Sequence, residues 1–235
     1  MDRPITTLFM LSSVDGKIST GNNDYLDVDK DFPKIKGIRD GLKQYYEIEQ
    51  TTDLYSLNSG RVLEKIGSNN SQKNIIKLPV SFLVIDNKPH LNDVGVNNLL
   101  KKSKKLYIIT TNKFHPAFSK KNAENLEIIY YERTIDFYDL FKKLKKEYNI
   151  DRLTIQTGGT LNSIFLRMKL IDKLSLVLAP TLIGGNETSS LIDGKSLSSV
   201  DDLQEIKALK LIEVKKLNDS YIHLIYDIIN DTVIE

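Results

Sequence analysis

The 235-residue chain contains no cysteine and no tryptophan, and only three histidines and three methionines. Without cysteine there are no disulfides, thiolate nucleophiles, iron–sulfur clusters or cysteine-ligated zinc sites. The zinc deaminases that need cysteine around their metal are excluded with them. An excess of one charge is also missing: 33 Lys and Arg against 31 Asp and Glu leave +2. No global field therefore draws the chain to nucleic acid or to anionic lipid. The pI near 8.5 reflects dispersed lysines rather than a basic stripe. No run approaches the roughly 18 apolar residues of a membrane span, and Met1-Asp2-Arg3-Pro4 opens without the apolar core of a signal peptide. A cytoplasmic protein is expected, with neither a nucleic-acid nor a membrane partner.

What is present is ordinary for a soluble globular protein: 40% hydrophobic and 27% charged residues, with both signs interspersed. The length suits one large domain over residues 1–235 better than two small ones. Ile5–Leu11 is an unbroken apolar and β-branched run, the mark of a strand covered on both faces, and Ser12-Ser13-Val14-Asp15-Gly16 reads as a polar turn after it. A first helix is predicted after Pro33, on Ile35, Ile38, Leu42, Tyr45, Tyr46 and Ile48. Leu54–Leu57 reads as a short strand, and Arg61–Ile66 as a helix capped by Asn58 or Ser59 and closed by Gly67. Further strands are predicted at Val80–Ile85, Leu106–Thr110, Leu126–Tyr130, Leu153–Gln156 and Leu174–Leu178. Helices at Val96–Lys102, Ile135–Tyr148 and Leu161–Lys169 interleave with them. This alternation predicts an α/β fold with a mostly parallel central sheet flanked by helices. Leu209–Leu217 and Tyr221–Tyr226, joined by Asn218-Asp219-Ser220, add a C-terminal antiparallel hairpin. Gly67–Lys77 and Gly184–Val200 read as long polar loops.

In open α/β sheets ligands bind beyond the carboxyl ends of the strands, so the strand-to-helix turns are where a site is sought. Gln156-Thr157-Gly158-Gly159-Thr160-Leu161 joins a strand to a helix through adjacent glycines. Such a turn lets a ligand approach the backbone, and the helix start favours phosphate; a tight turn without a ligand is the competing reading. Ser59-Gly60-Arg61-Val62 places a guanidinium in the opening turn of a helix, which the helix dipole disfavours unless an anion neutralises it; otherwise it is a solvated arginine. Ser13-Val14-Asp15-Gly16-Lys17 is polar turn chemistry directly after a buried strand. His90, His115 and His223 lack metal-ligand and triad spacing and read as structural; no metal site is expected. Lys142–Lys146 reads as the solvated face of an amphipathic helix.

Ser12-Ser13-Val14-Asp15-Gly16-Lys17-Ile18, the turn Gln156–Leu161, the run Met168–Leu174 and Leu178-Ala179-Pro180-Thr181-Leu182-Ile183-Gly184-Gly185 occur in that order. Together they resemble the RibD C-terminal family, the reductase domain of the riboflavin pathway, which has a dihydrofolate reductase-like fold. The resemblance extends from about Arg3 to Tyr226. It implies an NADPH-dependent oxidoreductase, usually a homodimer, that reduces the ribosyl group of a phosphorylated aminopyrimidine to a ribityl group by hydride transfer. It places the cofactor on the backbone around Leu11 and Ser13, with its pyrophosphate at Gly158, Gly159, Thr160 and Leu161. The adenosine end would lie along Ser59, Gly60, Arg61 and Val62, with Arg61 on the 2′-phosphate. Asp15, Gly16, Lys17 and Gln156 fall on the substrate side, and Asp15 is the candidate for proton supply.

The departures from the family pattern lie on that side. Glu49 stands where an arginine often serves the substrate phosphate, and a carboxylate repels phosphate. Gln156 replaces a common glutamate. The residues after Val62, Lys65 among them, lack the usual acidic Asp-Asp-Pro segment. Deamination, for want of cysteine, is expected on another polypeptide. The competing readings are a reductase of the same fold acting on another heterocycle or a small carbonyl compound, a non-catalytic nucleotide-binding protein, and a pure interaction protein.

Overall fold

The computed structural model describes residues 2–234. The chain forms two compact units. One comprises residues up to Ile5 together with Asp53–Thr157, and the other Thr6–Thr52 together with the chain from Gly158 onward.

In the first unit five strands run parallel in the order β5 (Leu126–Tyr130), β4 (Leu106–Thr110), β3 (Ser81–Ile85), β2 (Tyr55–Ser59) and β6 (Arg152–Gln156). Their inner residues, such as Leu57, Leu83, Ile108 and Ile155, are wholly buried, which is why these strands read as continuous apolar runs rather than alternating ones. The connecting helices are α3 (Gly60–Lys65), α4 (Asp93–Lys102) and α5 (Phe137–Lys146). Side chains cap each start: Ser59, Asn92 and Asp136 accept the amide N–H groups of Val62, Gly95 and Asp139. α5 buries Leu140, Phe141 and Leu144 and turns its lysines outward, which complements the negative end of its dipole. A core of Leu63, Val84, Leu91, Val96, Leu99, Leu106 and Ile108 fills one side of this unit.

In the second unit β1 (Ile5–Ser13) pairs parallel with β7 (Lys173–Ala179). β9 (Ile222–Ile229) then runs antiparallel to β7, and β8 (Ala208–Lys216) antiparallel to β9. Asp219 and Ser220 adopt positive φ between β8 and β9, conformations that Asp tolerates in a turn. α1 (Val28–Asp31), α2 (Arg39–Glu49) and α6 (Gly159–Arg167) complete the unit. Its core gathers Phe9, Leu11, Phe32, Leu42, Tyr45 and Val177. Phe9 stacks on Tyr45 at 5.1 Å, and the buried Tyr221 hydroxyl donates to the Ile38 carbonyl at 2.7 Å. The α/β alternation, the parallel strands and the closing antiparallel hairpin are as predicted.

Two local expectations differ. The helix after Pro33 does not start there: Phe32–Lys34 is a single 3₁₀ turn, and α2 begins at Arg39. Gly37, at φ +86, breaks the path between them. Ser12 and Ser13 belong to β1 rather than to the turn, and both are wholly buried. No helix of the described residues is long and apolar enough to cross a membrane.

Candidate active site

The second unit joins two of the three sequence motifs through one loop. β1 brings Leu11 into the core and carries the buried Ser13 to its carboxyl end. The Ser13 hydroxyl donates to the Asp15 carboxylate and accepts the Lys17 amide at 2.8 Å. Asp15 reaches across to accept the amides of Ile183 at 3.1 Å and Gly184 at 2.6 Å. The Ser13 hydroxyl, seconded by those amides and only partly opposed by burial, holds the Asp15 carboxyl down at about 2. Lys17 Nζ donates to the carbonyls of Gly185 and Thr188 at 2.8 and 2.9 Å. The amides of Ile18 and Leu191 donate to the carbonyls of Ser189 and Gly16, at 3.0 and 2.9 Å. Gly16 itself turns the chain at φ +79, a conformation that favours glycine.

The same loop continues onto the glycine pair. The Asp193 amide donates to the Gly159 carbonyl at 3.0 Å, and Asn162 Nδ2 donates to the Leu191 carbonyl at 2.9 Å. A Cβ on Gly159 would overlap the Ser190 carbonyl and the Asp193 carboxylate. That carboxylate accepts the Ser190 amide at 2.9 Å and its hydroxyl at 2.6 Å. Gly158 differs: a Cβ there meets nothing within 4 Å, and its φ of −78° and ψ of 162° suit any residue. No side chain caps α6, and the first-turn amides of Gly159, Thr160 and Leu161 have no intrahelical acceptor. The two glycines therefore do different work. Gly159 makes room for the chain's own loop, and Gly158 leaves open space at a helix start.

Asp15 thus anchors the 183–184 turn, and at neutral pH it has no proton to give. Asp15→Asn puts an amide beside two backbone donors and is expected to cost about 1 kcal/mol, with faster proteolysis between residues 183 and 188. Because the folded carboxyl titrates below its ordinary 3.8, the wild type's advantage is full above that value and shrinks as the pH falls through about 2. Thermal melts of both proteins down the acid range check this.

The first unit holds the third motif. Ser59 accepts the Val62 amide at 3.4 Å, Gly60 is buried, and Arg61 is exposed beside half-buried Val62. A Cβ on Gly60 would overlap the carboxyl of Asp86, just beyond the end of β3. Asp86 is almost wholly buried, and His90 and His115 both hydrogen-bond to it. The two histidines are separated by 25 positions, so no sequence spacing announced this cluster. His223, in contrast, bonds Ser175 at 2.8 Å within the β7–β9 pair, a structural role. Gln156 ends β6, where its Oε1 accepts the Ser56 hydroxyl at 2.8 Å while Asn58 Nδ2 donates to Ser56 at 2.9 Å. Ser56 and Asn58, both buried, stand outside the expected site residues; Asn58, one of the two cap candidates, lies within β2, and Ser59 caps α3. Glu49 and Lys65 are the last residues of α2 and α3.

Residues 65–222 match the RibD C-terminal domain family. The chain belongs to that family. The RibD C-terminal match begins at the end of α3, so Leu11–Lys17 and Ser59–Val62 lie outside it. The riboflavin biosynthesis protein RibD of Buchnera aphidicola subsp. Baizongia pistaciae is 24% identical over 224 residues, 91% of this chain and 58% of that protein. The 2,5-diamino-6-ribosylamino-4(3H)-pyrimidinone 5′-phosphate reductase of Methanothermobacter thermautotrophicus is 31% identical over 70 residues, which cover 30% of this chain and 32% of that enzyme. The chain thus spans little more than half of the first of these relatives and a third of the second. Among solved structures, Acinetobacter baumannii RibD aligns with a TM-score of 0.68 at 18% identity, over 97% of this chain and 59% of its own. The Saccharomyces riboflavin biosynthesis reductase Rib7 aligns at 0.61 and 16%, over 97% and 91%. At these identities the structural likeness establishes the RibD reductase fold, which is dihydrofolate reductase-like, and the fold alone.

Proposed function

We propose that the chain is a cytoplasmic NADPH-dependent pyrimidine reductase, with both units together forming one reductase domain. Its proposed substrate is a phosphorylated aminopyrimidine of the riboflavin pathway, 5-amino-6-(5-phosphoribosylamino)uracil or its 2,5-diaminopyrimidinone counterpart, reduced at the ribosyl C1′. The observation that carries the cofactor assignment is the uncapped start of α6 beside the open face of Gly158, in a member of the RibD C-terminal family. Bound NADPH supplies the hydride.

Each of the expected site residues has a task in this reading. Gly158 admits the pyrophosphate, and the amides of Gly159, Thr160 and Leu161 donate to it; Asp193 keeps the opposite side of Gly159 closed. Leu11 and Ser13 present backbone to the cofactor from the end of β1. Ser59 and Gly60 set the start of α3, where Val62 is half-buried and Arg61 points a guanidinium toward the 2′-phosphate. Gln156 lies on the substrate side with its Oε1 held by Ser56. Asp15 and Lys17 position the loop from Ile183 to Thr188 about Gly16, and Asp15 acts as an anchor rather than a proton donor. The assembly in this reading is a homodimer, supported by the exposed row of Leu209, Leu211, Ile212 and Val214 on β8, whose outer edge has no pairing strand among the described residues.

The test is NADPH oxidation on adding the ribosylaminopyrimidine 5′-phosphate, with formation of the ribityl product. Turnover supports the reading. NADPH binding without oxidation favours the nucleotide-binding alternative, which the altered positions Glu49 and Gln156 suggest.

A further inference from the structure

Asp86 holds a negative charge that is almost wholly buried and surrounded by donors. The amides of His90 and Leu91 each donate to it at 3.0 Å, His115 Nε2 at 3.0 Å and His90 Nδ1 at 3.1 Å. Burial would raise its carboxyl, but the bonds from His115 and from the two amides outweigh it and hold it below the ordinary range. Buried charges are stable when paired. His115 accepts the Ala117 amide on Nδ1 at 3.1 Å, which leaves its Nε2 edge to the carboxylate. The imidazole of His90 is a third exposed, and with Nδ1–H on Asp86 its Nε2 edge faces outward.

The Asp86 carboxyl sits against the start of α3, where Gly60 leaves it the space of a Cβ, and the next residue is Arg61. The buried carboxylate that orients the His90 imidazole thus also abuts the residue before the one assigned to the 2′-phosphate. Resting on that assignment, we infer that His90 is a second phosphate-reading residue, so that this protein's preference for NADPH over NADH depends on pH. An imidazolium N–H donates to a phosphate oxygen where a neutral Nε2 cannot. Of the other charged groups, Lys88 is on the same loop as His90, His115 shares the Asp86 carboxylate with it, and Asp93, at the start of α4, pairs with Lys120 at 3.5 Å. Asn69 Nδ2 fixes the backbone by donating to the His90 carbonyl at 2.7 Å.

The experiment compares the NADPH and NADH dissociation constants of the wild type, His90→Gln and His90→Lys at about pH 6 and about pH 8. The second ionisation of the phosphate itself, near pH 6, is common to all three proteins and cancels in their ratios. The wild type is expected to bind NADPH about tenfold tighter than His90→Gln at the lower pH and equally at the higher one, with NADH unaffected. His90→Lys, whose charge persists, is expected to keep the tight binding at both. Equal NADPH affinity of wild type and His90→Gln at both pH values, or equal losses for NADPH and NADH, overturns the role of His90 while the cofactor assignment stands. Failure of the wild type to bind NADPH at either pH overturns both.

Discussion

Gly159→Val is expected to destabilise the protein by about 1–3 kcal/mol and to abolish NADPH binding, whereas Gly158→Thr is expected to cost binding alone. The difference lies in what each glycine faces. A side chain at 159 runs into the Ser190 carbonyl and the Asp193 carboxylate, so the loop that Asp15 and Lys17 anchor must move. For a chain of this size that corresponds to a fall in Tm of roughly 2–12 °C. At 158 the space is open, the backbone is already extended, and threonine caps a helix about as well as glycine does. Its hydroxyl can accept the very α6 amides that the pyrophosphate needs. Gly158→Thr should therefore melt within about 1 °C of the wild type and bind NADPH at least about tenfold more weakly. Parallel melts and titrations decide this; undiminished NADPH affinity in Gly158→Thr removes the turn from the site.

Arg61→Ala is expected to weaken NADPH by about 1–3 kcal/mol and to leave NADH unchanged. Arg61 is exposed in the first turn of α3, where the helix dipole opposes a cation, so folding should change by no more than about 0.5 kcal/mol. Arg61→Lys keeps the charge but loses the planar fork, and should fall between the two. Equal loss for both dinucleotides, measured by the same titration, contradicts the assignment to the 2′-phosphate.

Much of this architecture is written locally. β4 and β5 coincide with their apolar runs, and Ser59 caps α3 as its position before a helical pattern predicts, because buried parallel strands and helix caps are properties of contiguous residues. The site is less legible, since its parts meet only after folding. Asp86 and His90 on the loop after β3 meet His115 only in the fold, and the histidines alone read as structural. The paired glycines read as one ligand-facing turn, although residues 190–193, more than thirty positions away, occupy one of the two. Nothing in Ser-Val-Asp-Gly reveals the amides of Ile183 and Gly184 that donate to the Asp15 carboxylate.

In the proposed function the start of α6 takes the pyrophosphate and Arg61 the 2′-phosphate of a nicotinamide dinucleotide. Calorimetric titration of the full chain with NADPH and, in parallel, NADH tests both assignments at once. Tight NADPH binding with NADH weaker by about tenfold or more is the predicted result. Binding of neither dinucleotide would contradict it, and would mean that the RibD C-terminal fold serves another purpose in this protein.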